Sequence, residues 1–164
     1  MKQDRFLMGI LIFIGVLVVA ALALFFIRKD SQAYGAEDTP DGVIRNYALA
    51  LQKQDFTRAY SYLADETGKP DYESFRKVFL TNQLDFSSTA VQVGKVQFMG
   101  GGESTVSVTV LYAGSGPFNQ GWSSVDTASL VQQNGAWKLI SMPYPYWSYD
   151  WYLVSLPTAL PAKP

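Results

Sequence analysis

The chain has 164 residues, of which 48% are hydrophobic and 16% charged, and its formal net charge is −1. This length allows one domain and an anchor, and the charge excludes the basic surface that nucleic-acid binding requires. The absence of cysteine and histidine excludes disulfides, thiolate ligands and histidine-dependent hydrolases. A metal would have only carboxylate ligands, so we predict no metal site and no cofactor.

The N-terminal segment from Phe6 to Ile27 is uncharged and apolar over 22 residues. As an α-helix it is ~33 Å long, enough to cross a hydrocarbon core of roughly 30 Å. It predicts a transmembrane helix over 6–27, preceded by a cytoplasmic stub over 1–5. A cleaved signal peptide is the alternative, since Ala21-Leu22-Ala23 and Ser31-Gln32-Ala33 resemble cleavage sites. The apolar stretch is longer than the about 7–15 residues of such peptides, which favours the uncleaved anchor.

The charges that flank this segment are balanced. Lys2 and Arg5 lie on one side and Arg28 and Lys29 on the other, so the positive-inside rule gives no preference. The terminal amine adds positive charge to the N-terminal side, and the stub is too short to fold. We therefore predict a single-pass protein of the cell membrane, with the N-terminus inside and the C-terminal domain extracytoplasmic.

The segment after the anchor changes from a polar linker, residues 28–40, to helical periodicity. Thr39 and Pro40 form an N-cap and a first helical position. The first helix of the domain carries an apolar stripe of Ile44, Tyr47, Ala48 and Leu51. A second helix carries Phe56, Ala59, Tyr60 and Leu63. A third, capped by Asp71, carries Tyr72, Phe75, Val78 and Phe79.

From residue 86 the hydrophobic period changes to two, which is typical of strands. We predict strands over 89–99, 104–112, 122–133 and 136–142. Gly100 to Gly102 form a turn, and Asn134-Gly135 is a strong hairpin signal. Helices followed by an antiparallel meander predict an α+β domain over 41–152, with three helices on one face of a curved sheet, and a flexible tail over 153–164.

Two segments carry a resemblance to a known family: TPDGVIRNYALALQKQDFTRAYSYL (39–63) and LVQQNGAWKLISM (130–142). They are similar to the helix pair and the last hairpin of the nuclear transport factor 2-like superfamily, over roughly residues 40–145. The resemblance implies a cone-shaped α+β domain like those of small secreted or membrane-tethered bacterial members, many without known activity. It also implies a pocket inside the cone, where several members use Asp, Tyr or His as isomerases, dehydratases or cyclases.

Asp126 is the single candidate for a catalytic residue, because it lies in mid-strand on the same face as Trp122 and Leu130. A carboxylate on an apolar concave face is the kind of group that acts as a base. The competing interpretation is that this face points outward into solvent. Without histidine, no His-containing dyad of the dehydratase type can form. The predicted ligand pocket consists of Tyr47, Tyr60, Trp122 and Asp126.

The C-terminal segment is unusually aromatic, since six of the nine residues from 144 to 152 are Tyr or Trp. Such side chains are enriched at protein interfaces and at membrane surfaces. We predict a partner or membrane contact through Tyr144, Tyr146, Trp147, Tyr149, Trp151 and Tyr152. The alternative is that the segment folds back and closes the wide end of the cone.

Two functions follow from these features. The favoured one is a membrane-anchored, non-catalytic binding or accessory module, a small subunit of a larger membrane complex with a protein partner or as a homodimer. The alternative is an isomerase or lyase, or a protein that binds an apolar ligand, using the cone pocket with Asp126.

Overall fold

The computed structural model describes residues 3–29, 33–114, 116 and 120–153. The chain divides into two compact units, residues 1–34 and 35–164. The first contains helix α1, Gln3–Lys29, whose segment Leu7–Phe25 has a mean hydropathy of 3.0 and no buried residue. Within the described ranges this is the one helix long and apolar enough to cross a membrane. Residues 154–164, which are most of the predicted tail, lie outside the described residues. So do Ser31 and Gln32 of the possible cleavage site Ser31-Gln32-Ala33.

The second unit begins with three helices, each starting at a side-chain cap. The helices are α2, Pro40–Gln52; α3, Phe56–Ser61; and α4, Tyr72–Leu80. Thr39 and Asp71 accept hydrogen bonds from backbone N–H groups three residues ahead, as the sequence predicts, and Asp55 does the same for α3. Aspartate at a helix N-terminus also opposes the positive end of the helix dipole.

The prediction for the second helix of the domain is wrong at Leu63. The apolar spacing places it on the helix, but α3 ends at Ser61 and Leu63 forms a parallel bridge with Leu139. Ala64 N donates to Leu139 O at 2.9 Å, and Leu139 N donates to Tyr62 O at 2.8 Å. The chain leaves the helix at 62–64 because its backbone pairs with the outer edge of β4. This pairing gives hydrogen-bond partners to backbone groups of both segments.

Four antiparallel strands follow in the order β1-β2-β3-β4, as predicted. They are β1, Thr89–Gly100; β2, Glu103–Tyr112; β3, Trp122–Gln133; and β4, Ala136–Ser141. The β3–β4 turn is Asn134-Gly135, with φ values of 53° and 80° that suit a two-residue hairpin. β4 ends one residue before its predicted boundary, and β1 and β2 each extend one residue further into the glycine turn.

The hydrophobic core lies between the helices and one face of the sheet. On β2 the even-numbered residues Val106, Val108 and Val110 are fully buried, whereas their neighbours are partly exposed. Helix α2 contacts β1, β2 and β4 from this side. The sheet is strongly curved, because Phe98 on β1 and Trp137 on β4 have ring centroids only 5.9 Å apart although two strands lie between them. The α+β class with helices on one face of a curved sheet is therefore confirmed.

The end of the predicted linker is attached to this domain. Asn46 of α2 is completely buried, and its amide exchanges hydrogen bonds with the backbone N–H of Gly35 at 2.8 Å and the carbonyl oxygen of Gly35 at 3.0 Å. A Cβ atom at Gly42 would overlap the carbonyl oxygen of Ala36, so glycine is required for this close approach. The linker prediction over 28–40 is therefore wrong for residues 35 and 36, because Asn46 binds them to α2.

Candidate functional site

The aromatic segment, defined here as residues 142–152, packs inside the domain. Tyr146, Trp147 and Trp151 are 0%, 4% and 8% exposed. The predicted partner or membrane contact is wrong for these three residues, because their side chains lie in the core. The segment instead folds back against the helices and the sheet, which was the alternative interpretation.

Tyr146 joins the segment to three other parts of the domain. The hydroxyl of Tyr47 on α2 donates to the carbonyl oxygen of Tyr146 at 2.8 Å. The Tyr146 hydroxyl shares a hydrogen bond of 2.9 Å with Thr89 Oγ1 at the start of β1. Its ring stacks on Phe86 with centroids 5.7 Å apart. Every polar group of this contact therefore has a partner, as burial requires.

The two tryptophans fill the space beside the helices. Their rings meet edge to face at 5.0 Å. Trp151 lies 5.3 Å from Phe75 of α4, and Trp147 lies 6.1 Å from Tyr47 of α2. These separations are those of favourable aromatic pairs. The segment ends against the loop before α4, where Tyr152 N donates to Gly68 O at 2.9 Å.

Burial determines the protonation of the tyrosines in this region. Desolvation raises the pKa of Tyr47 well above its usual value, and it also raises the pKa of Tyr146 and of Tyr152. These phenols are therefore neutral at physiological pH. They can donate hydrogen bonds within the core, but they do not supply a phenolate base.

Two tyrosines of the segment remain exposed and contribute to a surface that we call the aromatic patch: Tyr112, Trp122, Tyr144 and Tyr149. Tyr149 is 74% exposed, and its ring is nearly parallel to that of Tyr144 at 6.4 Å. Tyr112 and Trp122 stack at 3.9 Å, and the Tyr112 hydroxyl donates to Tyr144 O at 3.1 Å. For Tyr144 and Tyr149, a partner or membrane contact stays a prediction.

The four residues predicted to line a ligand pocket have separate surroundings. Tyr47 is completely buried, and the Tyr60 hydroxyl donates to Pro70 O at 2.9 Å between α3 and α4. Trp122 and Asp126 lie on β3 and are exposed. These side chains therefore do not line one pocket in the described part of the domain.

Asp126 lies on the face of β3 that its spacing predicts, directly across from the buried Val108 of β2. Its carboxylate is nevertheless exposed, and Oδ1 accepts the backbone N–H of Thr127 at 2.7 Å. A catalytic role for Asp126 required a closed apolar pocket around the carboxylate. That requirement is not met, because the first half of β3 is exposed on both faces.

A cleft that sequence reasoning missed lies where α2 and α4 end and β1 begins. It has a volume of about 410 Å³. Its wall contains Phe56 and Phe79, whose rings stack at 6.1 Å, and Phe86, 5.7 Å from Phe79. Hydrogen bonds from Ser87 lower the pKa of Asp85, so the rim is negatively charged at neutral pH. The rim consists of Gln52, Gln54, Asn82, Asp85, Ser87 and Thr89.

A second cluster that was not predicted joins residue 37 to α3. Glu37 Oε1 accepts hydrogen bonds from Arg58 at 2.6 Å and from the Tyr62 hydroxyl at 2.7 Å. The bond from Tyr62, followed by that from Arg58, lowers the pKa of Glu37. Both charged side chains are substantially exposed, so the pair adds little stability. No local sequence pattern identifies it, since the partners are 21 and 25 residues apart.

No group of three or more acidic side chains in the described ranges is placed to hold a metal ion. The chain has no histidine or cysteine that could complete such a site. Neither the cleft nor the aromatic patch therefore offers the ligand set of a metal centre.

No protein-family model matches the chain, and no curated protein matches it. Solved structures do resemble it. A SEC-C motif containing protein from Rhodopseudomonas palustris is 15% identical over 64% of this chain and 77% of that chain, with a TM-score of 0.47. An NTF-2 like protein of unknown function from Shewanella oneidensis is 8% identical over 59% and 88%, with a TM-score of 0.44.

A protein of unknown function with a cystatin-like fold from Nostoc punctiforme is 15% identical over 60% of this chain and 80% of that chain, with a TM-score of 0.45. At these scores the likeness concerns the course of the backbone and says nothing about function. The similar structures thus include an NTF-2 like protein and a protein with a cystatin-like fold.

Proposed function

We propose that this chain is a membrane-anchored, non-catalytic binding or accessory module, a small subunit of a larger membrane protein complex. The observation that carries the proposal is the burial of Tyr146 and Trp147 between the helices and the sheet. These side chains occupy the interior in which a cone-shaped domain would otherwise hold a substrate. The exposed Asp126 supports the same conclusion, because its carboxylate is not enclosed in a pocket that could hold a substrate.

The anchor is the segment Leu7–Phe25 of α1. An exposed apolar helix of this length is stable in a bilayer, because its backbone groups are satisfied internally. In this proposal the domain lies on the extracytoplasmic side of the cell membrane.

The aromatic patch is the proposed surface for the protein partner. Tyr and Trp are enriched at interfaces because they bury large apolar area and retain a polar group. Tyr144 and Tyr149 are more than two-fifths exposed, at 44% and 74%, so their rings are available to a partner.

Native mass spectrometry of the full-length protein, extracted from its own membrane in mild detergent, tests this proposal. We expect a stoichiometric protein partner with the wild-type chain. The double substitution Tyr144→Ala and Tyr149→Ala should reduce the partner by about tenfold or more, as the loss of interface aromatics does elsewhere. Phe98→Ala, which removes another exposed ring away from the patch, is the matched control and should retain the partner. Recovery of the wild-type chain alone would contradict the subunit proposal.

The cleft favours a second candidate, the binding of a small molecule with an apolar part and a polar group. Its volume of about 410 Å³ and its aromatic wall are typical of ligand sites. In the same spectra this function predicts a small-molecule adduct that survives the Tyr144→Ala and Tyr149→Ala double substitution. The adduct should disappear with Leu80→Trp, which places a large ring in the cleft. An adduct unaffected by Leu80→Trp would place the ligand elsewhere.

A further inference from the structure

The outer edges of β4 and β1 are protected from pairing with another chain. The outer edge of β4 is covered by residues 62–64, through the hydrogen bonds that Ala64 and Tyr62 make with Leu139. The outer edge of β1 is interrupted by a bulge between Val93 and Val96, where Lys95 is exposed. Bulges and lysines on edge strands are devices that prevent pairing with another chain.

The first half of β3 has no such cover. β4 is only six residues long, and its pairing with β3 stops at Ser129, opposite Ser141. Residues 122–128 therefore pair with β2 on one side, and on their other side the described part of the chain places no strand. An open edge of seven residues remains.

The direction of the backbone groups along this edge follows from its neighbours. Gln132 N donates to Gly102 O, towards β2, so the even-numbered residues of β3 bond to β2. By alternation, Ser123, Val125 and Thr127 direct their N–H and C=O groups away from β2. Thr127 N accordingly donates to the side chain of Asp126 and not to a strand. Val125 is 72% exposed in the middle of this edge.

We propose that residues 122–128 of β3 pair antiparallel with the same residues of a second copy of this chain, with Val125 opposite its own counterpart. In this register the one charged residue of the edge, Asp126, lies opposite the hydroxyl of Ser124, and Ser123 lies opposite Thr127. The Thr127 N–H transfers from the Asp126 carboxylate to a carbonyl group of the second copy. The two four-stranded sheets become one continuous sheet with two-fold symmetry.

The alternative registers are less complementary. A register centred on Asp126 places two carboxylates directly opposite each other, which is destabilising. A register centred on Ser124 places the Asp126 carboxylate opposite the indole of Trp122. Among pairings with a second copy, the charge pattern of the edge therefore favours the Val125-centred register.

A seven-residue pairing is small, so association depends on proximity. Two copies anchored in one membrane have a high effective concentration, which compensates for a weak contact. In this respect the inference rests on the proposed membrane anchor. Release of the full chain from membranes by alkaline carbonate would refute the anchor. The edge pairing is tested separately, by which cysteine positions form a disulfide between two copies.

Disulfide trapping in membranes tests the pairing, because the chain contains no native cysteine. In a hydrogen-bonded antiparallel pair the opposed Cα atoms are about 5.5 Å apart, within the range of a disulfide. Full-length Val125→Cys should therefore form a covalent dimer under mild oxidation. In Thr127→Cys the two cysteines are about 13 Å apart along the strands, so this control should give about tenfold less dimer.

Equal trapping of Val125→Cys and Thr127→Cys, or no trapping of either, would overturn the proposal. So would protection of Val125→Cys from a maleimide without any disulfide dimer, because another chain would then occupy the edge. As an independent measurement, Val125→Lys should abolish the dimer in native mass spectra by placing like charges opposite each other. Leu111→Lys, at an exposed apolar position of the neighbouring strand β2, whose backbone does not form the open edge, should retain it.

Discussion

The hydroxyl of Tyr47 joins α2 to the aromatic segment through a single hydrogen bond of 2.8 Å to Tyr146 O. Both groups are buried, so neither can exchange this bond for one with water. A neighbouring buried side chain, Asn46, attaches the entering chain to the same helix through Gly35. Two adjacent residues of α2 thus hold the two ends of the domain in place.

Tyr47→Phe should lower the free energy of unfolding by about 1–3 kcal/mol, because the carbonyl of Tyr146 then lacks its donor. The ring and its packing remain, so the fold should be retained. Urea denaturation of the domain without α1, followed by tryptophan fluorescence, measures the change. An unchanged midpoint would mean that this bond adds no net stability.

The raised tyrosine pKa values predict a loss of stability in alkali. In the unfolded chain these phenols ionise near their usual value of 10.0, whereas in the folded chain they stay neutral to a higher pH. The stabilisation is therefore complete below about pH 10 and is lost as the pH rises above it. Unfolding midpoints at about pH 8 and about pH 11 should differ less in Tyr47→Phe than in the wild type. An equal change in the unfolding midpoint between the two pH values in both proteins would contradict the role of Tyr47.

The aromatic segment packs against three other elements of the domain. It contacts α2 through Tyr47, α4 through Phe75 and β1 through Thr89, so its removal would open the core on three sides. Its exposed residues are Tyr144, Tyr149 and Asp150, and Ser148 and Tyr152 are partly exposed. A single element thus stabilises the fold and contributes to the proposed binding surface.

Trp147→Ala and Tyr149→Ala separate these two roles. Trp147 is buried, and its truncation should cost about 3–5 kcal/mol through lost packing and a cavity. Tyr149 is exposed, so its truncation should change stability by about 0.5 kcal/mol or less while it weakens partner binding. Thermal unfolding by circular dichroism measures the first effect. Similar losses of stability in both variants would contradict this division between a stabilising role and a binding role.

The helices and strands could be predicted because their signals are local. Thr39 and Asp71 cap helices, Asn134-Gly135 fixes a hairpin, and alternation on β2 marks the core face. Leu63 could not be placed correctly, because its spacing suits a helix and only the edge of β4 decides its pairing. The burial of Tyr146 and Trp147 depends on tertiary packing in the same way, since an aromatic run suits an interface and a core equally well.

The candidate sites were harder to predict than the fold. The face of Asp126 followed from alternation, but its exposure depends on which strand β4 covers and where β4 ends. The cleft could not be found from the sequence, because its walls come from α2, α3, α4 and β1 and from the loop before β1. These features depend on the lengths of elements that pack from distant parts of the chain.

At the scale of the whole molecule, an apolar helix and a compact domain are two units of one chain. The apolar helix supports the proposed anchoring, and the burial of Tyr146 and Trp147 together with the exposure of Asp126 supports the proposed binding role. The proposed orientation places the domain outside the cytoplasm. Anchoring and orientation are thus the basis on which the proposed partner and the proposed pairing both depend.

Single-cysteine labelling tests that basis most directly. The native chain has no cysteine, so Thr67→Cys in the domain and Gln3→Cys before the apolar segment each provide one unique thiol. With an impermeant maleimide and an intact cytoplasmic membrane, we expect Thr67→Cys to be labelled at once and Gln3→Cys only after permeabilisation, with both proteins in the membrane fraction. Labelling of Gln3→Cys alone, or recovery of a shortened chain in the soluble fraction, would contradict the account.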